Sequence, residues 1–225
     1  MNRAYRIIDV SQWMDDFAFS GDQVFTVRGP FNRVPGSNPE YVYDLALCSQ
    51  SGTHIQGSHY FLEEGRRIDA YPLEAFEGPA LMIDLEKRGV DTTREELAAK
   101  LGEERVSGEI LVLRTGNMAE IIAAGRVDPA RRPGLSMDAA VYLAEERGVR
   151  MIAIDAIGVE SRTTRNFEVN RYLCEQGVLL LEGLVNLESV RTRRFFLEAF
   201  PLKIRGVEGT PCRAIVKEPL PDGGD

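Results

Sequence analysis

The sequence predicts a mixed α/β fold in one soluble domain, and three observations carry that prediction. Short apolar runs of strand length recur from one end of the chain to the other. Helix-start and helix-stop signals fall between several of them. The last third then returns to strand-like runs. Strands alternating with helices, with strand-rich ends, describe a mixed sheet with flanking helices. The 225 residues, 44% hydrophobic and 28% charged, suit a globular unit long enough to bury a sizeable core without staples. No internal repeat or long linker divides the chain, so a single domain is expected over residues 1–217. Residues 218–225 carry two prolines and two glycines and read as a flexible C-terminal tail.

The elements follow in order. Residues 6–10 form the first apolar strand-like run. Residues 22–39 are rich in Gly, Pro, Asn and Arg and read as a mobile loop around a short strand at 24–27. Further strands are expected at 41–48, 80–85, 109–114, 151–156 and 178–181. Residues 91–96 offer a capping box ahead of a helix over 97–101. Ser136 is placed to cap a helix over 137–147, which Gly148 stops. A helix over 167–176 ends at Gly177. Late strands are expected at 195–204 and 212–217.

Charge and cysteine content narrow the function classes. The formal net charge is −8, and a phosphate backbone needs clustered Lys and Arg. The densest basic cluster, Arg191, Arg193 and Arg194, is short and precedes Glu198, so it reads as a solvated face and no nucleic-acid partner is expected. Cys48, Cys174 and Cys212 lie far apart with no Cys-x-x-Cys pair. That indicates reduced thiols rather than a disulfide framework or a cysteine zinc site. The first five residues lack an apolar signal core and no run reaches the length of a membrane span. A cytoplasmic protein with no membrane partner is expected.

The chemistry concentrates in residues 50–61, which hold the only two histidines, His54 and His59. An isolated histidine is more often a packed or surface residue than a catalyst. Two of them five apart, flanked by Gly52 and Gly57, point more strongly to a site, because glycines permit turns that converge side chains.

This segment resembles the signature His-x-Gly-Thr/Ala-His-x-Asp-x-Pro-x-His of the cyclase / kynurenine-formamidase-like family. Gly52-Thr53-His54 matches its centre, and His59-Tyr60-Phe61 matches its end when one residue is deleted between Gln56 and His59. Leu113-Arg114-Thr115-Gly116, residues 134–140, Ile154-Asp155-Ala156 and residues 181–187 resemble later family segments in the same order. The resemblance implies a swivelling β/β/α fold, a homodimer or homotetramer, and zinc or manganese that activates water toward a formamide, amide, ester or lactone.

Against that pattern, three ligand positions carry carboxamides. Gln50 stands at the first histidine, Gln56 at the aspartate and Asn170 at a later histidine, leaving His54, His59 and Glu182. Carboxamide oxygens are weak ligands for zinc, so no dinuclear centre is expected. The site carries no metal, or at most one divalent ion on His54, His59 and Glu182. In the metal-free case His54 or His59 serves as base, Glu182 as orienting group or acid, and Tyr60 as proton donor. Gln50, Gln56 and Asn170 then bind a polar small-molecule substrate. Arg162 and Arg165 are candidates for holding a carboxylate, against the plainer reading of their stretch as a capped, solvated loop. Ser51 and Cys48 are weaker candidates as nucleophiles. Three functions stay open at this level: a hydrolase acting on a small carbonyl compound, a metal-independent cyclase or dehydratase of a specialised pathway, and a non-catalytic binding protein that keeps the pocket.

Overall fold

A computed structural model describes residues 4–31, 34, 36, 40–85 and 89–220. Twelve strands are found among them. They are β1 Tyr5–Asp9, β2 Thr26–Phe31, β3 Val42–Ala46, β4 His54–Gln56, β5 Glu77–Asp84, β6 Asp91–Thr92, β7 Ile110–Arg114, β8 Gly134–Leu135, β9 Met151–Ile154, β10 Leu179–Glu182, β11 Arg194–Pro201 and β12 Gly209–Pro219. The helices are α1 Arg94–Leu101, α2 Asn117–Ala124, α3 Met137–Val141 and α4 Glu168–Glu175. The main sheet runs β1-β12-β11-β5-β7-β9-β10-β4, and β4 also pairs with β12, which closes the sheet on itself. The neighbours β5, β7, β9 and β10 are parallel. β11, β12, β1 and β4 join antiparallel. The expected mixed α/β domain of the β/β/α kind is therefore present.

Strand alternation explains the continuous apolar runs. In β5, β7 and β9, Leu81, Ile83, Leu111, Leu113, Ile152 and Ile154 face a core shared with the helices. Their neighbours Ala80, Met82, Ile110, Val112, Met151 and Ala153 face the second core, on the opposite side of the sheet. A strand covered on both faces must be apolar at every position. Leu97, Leu101, Ala139, Leu143, Val169 and Leu173 bring α1, α3, the turn after α3 and α4 onto the first core.

Several elements depart from expectation. The 137–147 helix is α only to Val141 and continues as a π-helical turn, Tyr142–Glu146. Helix α2 was not foreseen, nor was β4. β2 lies later than the 24–27 run, and part of the 22–39 loop falls outside the described residues. β11 stops at Pro201, short of 204. The tail boundary at 218 needs correction: β12 continues to Pro219. Glu218 is buried and accepts from Arg6 and from the Thr192 backbone, which ties it into the sheet. Residues 221–225 lie outside the described residues.

Candidate active site

The site grows from one register. In the antiparallel pair β10–β4, Glu182 lies opposite His54, and Leu180 opposite Gln56. Opposed residues share a face, and alternate residues of a strand return to it. His54, Gln56 and Glu182 therefore emerge together, while Ile55 and Leu181 between them enter the second core. Helix α4 packs over this face and supplies Asn170.

The side chains enclose a cavity of about 350 Å³, lined by Gln50, His54, Gln56, Tyr60, Asn170 and Glu182 among others. That volume is enough for a small molecule. His54 Nε2 lies 3.5 Å from Glu182 Oε2. Gln56 Nε2 donates to Glu182 Oε1 at 3.3 Å. His54 Nδ1 meets the Gly52 carbonyl at 3.0 Å. A carbonyl can only accept, so Nδ1 carries a proton, and Nε2 is the nitrogen left to face the cavity. Gly52 makes this contact from a left-handed backbone, φ +63°.

The loop after β9 passes close over Glu182. A β-carbon at Gly158, φ +150°, would sit 3.3 Å from Glu182 Oε1. Glu160, two residues on, accepts from the backbone N–H groups of Val169 and Asn170 at the start of α4, where the helix dipole favours an anion. That contact sets where Asn170 stands. Gln50 is held from the other side, donating to Glu208 at 2.9 Å. Burial, then the charges of Glu182, Glu208 and Asp22, push the Tyr60 phenol up from its ordinary value, so it remains a proton donor.

Six of the nine residues singled out from the sequence thus line one cavity. His59 does not join them. The chain turns at Gly57 into a 3₁₀ turn, Ser58–Tyr60, where the His59 N–H donates to Arg66 O. Arg162 and Arg165 also lie outside the lining. The Arg162 N–H donates to Asp91, its guanidinium reaches Arg132 O, and Arg165 is exposed. The guanidinium that does line the cavity is Arg132. Ser51 Oγ accepts from the Cys48 N–H. Phe19, Asp22, Arg132, Ile157, Gly158, Glu160 and Phe167 complete the lining and were not assigned to the site from sequence. Only Glu160 had a signal, its place at the head of the Ser-Arg-Thr-Thr turn before α4.

Among the described residues, no three His, Cys, Asp or Glu side chains are grouped to hold a metal ion. The donors that do converge are one imidazole, one carboxylate and carboxamides, a poor set for zinc. The proposed three-ligand set is not assembled, because His59 stands apart from His54 and Glu182.

A family model described as putative cyclase matches residues 8–161. A kynurenine formamidase of Geobacillus thermodenitrificans is 30% identical over 216 residues, covering 94% of this chain and 97% of that protein. Among solved structures, isatin hydrolase A from Ralstonia solanacearum has TM-score 0.82 at 20% identity, over 95% of this chain and 92% of that one. A predicted metal-dependent hydrolase from Bacillus stearothermophilus has TM-score 0.76 at 24% identity, over 96% and 99%. These two structural likenesses speak to the fold.

Proposed function

The chain belongs to the cyclase family and is an enzyme of the hydrolase kind found there, and we propose that it hydrolyses a small amide, ester or lactone with His54 as general base. The observation that carries this reading is the His54 ring. Its Nδ1 is committed to Gly52 O, and its Nε2 is buried in the cavity without a hydrogen-bond partner.

In the proposed reaction, His54 Nε2 takes a proton from water as the water oxygen bonds to the carbonyl carbon. Glu182 Oε2, 3.5 Å away, stabilises the imidazolium that forms. Tyr60 donates to the carbonyl oxygen as negative charge develops there. The imidazolium then returns the proton to the departing nitrogen or oxygen as its bond to carbon breaks. Gln50 and Asn170 hold polar groups of the substrate. The poor donor set favours a reaction carried by protein groups over one built on a dinuclear metal centre.

The test is turnover of a panel of formamides, lactams, lactones and esters by protein treated with chelator. His54→Ala is expected to lower kcat by about 10²–10⁴-fold, with the circular dichroism and thermal melting unchanged in kind. Undiminished turnover by that variant, or turnover that returns only on adding zinc or manganese, sinks the mechanism.

A further inference from the structure

Three side chains lining the cavity, His54, Gln56 and Asn170, are each more than nine-tenths buried and leave a nitrogen or oxygen atom without a hydrogen-bond partner. The atoms are His54 Nε2, Gln56 Oε1 and Asn170 Oδ1. For Gln56 the acceptor assignment follows from the bond made by the opposite end of the amide. His54 directs its Nδ1 hydrogen to Gly52 O, and Gln56 directs its amide hydrogen to Glu182 Oε1. Folded proteins leave few buried polar groups unpaired, because each forfeits its bonds to water. Several such acceptors in one cavity beside a carboxylate call for a ligand that brings donors.

The charge balance says what kind of donor. Asp22, Glu160 and Glu182 line the cavity against one guanidinium, Arg132. Arg132 is itself committed: Nη2 donates to Ser161 O, and Glu160 and Asp91 flank it. The surplus field is negative, as the upward push of Glu182, Glu208 and Asp22 on Tyr60 also records. Zinc prefers imidazole, thiolate and carboxylate to carboxamide oxygens. An ammonium group, with three N–H donors and a positive charge, matches them.

The rim adds a second feature. Phe167 lines the cavity with its backbone in the left-handed region, φ +56° and ψ +45°, next to Asn166, also at φ +56°. Such a conformation is strained for a bulky L-residue. It sets the ring 5.6 Å from Phe61, which in turn meets Tyr60 edge-on at 4.5 Å. Half of the Phe167 surface remains exposed, a platform for a flat apolar body.

We propose that this cavity is a subsite for a small organic ammonium, gripped by Gln56 Oε1, Asn170 Oδ1 and Glu182 Oε1, with its apolar body against Phe167. The two carboxylate oxygens of Glu182 then divide the work. Oε1, beside Gln56, takes the ammonium, and Oε2, beside His54, serves the base. The inference rests on the hydrolase reading only for what happens next, because binding is measured without turnover.

The experiment is isothermal titration of the full-length protein near pH 7 with benzylamine, which is protonated there, and with benzyl alcohol and benzoate as neutral and anionic counterparts. One benzylammonium per chain is expected. Benzyl alcohol should bind at least about tenfold more weakly, and benzoate not measurably. Gln56→Leu and Asn170→Leu should each weaken benzylammonium by about tenfold, the scale of a lost charge-assisted hydrogen bond. Equal affinity for the alcohol, preference for benzoate, no binding of the amine, or zinc chloride displacing it at one ion per chain overturns the proposal. These comparisons on the unaltered protein stand even if a variant fails to fold. Amine binding without turnover of any panel compound leaves this inference and sinks the hydrolase reading. Turnover with no preference for the amine does the reverse.

Discussion

Asp155 shows how one residue can serve the fold while sitting near the site. It follows β9 and is buried, and its carboxylate accepts from the Thr115 N–H at 2.6 Å, the Thr115 hydroxyl at 2.7 Å and the Gly116 N–H at 2.7 Å. Those bonds fasten the turn after β7. Burial nevertheless outweighs them and raises its pKa to about 6, against about 3.9 for an unfolded aspartate. A raised folded-state pKa means the folded protein binds the proton more tightly. The resulting stabilisation is complete below about pH 4 and is lost as pH rises through about 6. The stability of the wild type relative to Asp155→Asn should therefore fall between pH 4 and 7, by on the order of 3 kcal/mol. Denaturant unfolding of both proteins at several pH values measures it, and a constant difference across that range contradicts it. His54 shows the other side of residue-scale reading. Its type and its neighbours Gly52 and Thr53 marked it from sequence, but its tautomer depends on the Gly52 carbonyl, which only the folded turn brings to Nδ1.

At the scale of elements, legibility followed how local the stabilising contacts are. Helix α1 was readable because its start is written in adjacent residues. Thr93 Oγ1 accepts from the Glu96 N–H, and the Glu96 carboxylate accepts from the Thr93 N–H. Thr93→Ala should cost about 1 kcal/mol, read as a lowered denaturation midpoint with an unchanged slope; no shift would mean that tertiary packing alone holds the helix. Helix α2 was not readable because it lacks a side-chain cap. It begins at Gly116 in the left-handed region, and its Met118 N–H donates to the Asp155 carbonyl, about forty residues away in sequence. β4 is not legible in the sequence for a related reason. Its polar-apolar-polar triplet is too short to signal a strand, and its two polar side chains are buried because they belong to the site.

At the scale of the molecule, the cavity carries carboxamides at Gln50, Gln56 and Asn170, and we propose that they stand where metal ligands would. Restoring Gln50→His, Gln56→Asp and Asn170→His together should raise zinc bound per chain, measured by elemental analysis after dialysis. No gain would mean that these positions do not share the ligand geometry assigned to them. The β2–β3 hairpin is a second feature at this scale. It exposes Val27, Tyr43 and Leu45, and an isolated two-stranded hairpin is marginal in water. We propose that the chain self-associates as a homodimer or homotetramer, which light scattering coupled to size exclusion would report; a monomer at micromolar concentration argues against it. No helix among the described residues is long and apolar enough to cross a membrane.

The sequence by itself determined the mixed α/β class, most of the sheet strands and the histidine segment that supplies part of the cavity lining, because apolar periodicity, capping pairs and residue type are properties of neighbours along the chain. Only the tertiary structure decided which marked residues meet. His54, Gln56, Glu182 and Asn170 converge because antiparallel pairing of β4 with β10 fixes a register and Glu160 anchors the start of α4 above it. His59 and Arg162 carry side chains equally suited to a site, but the turn at Gly57 and the Asp91 carboxylate hold their backbones elsewhere. Convergence depends on pairings between residues as much as 128 positions apart, as in the His54–Glu182 pair, and local sequence carries no record of such distances.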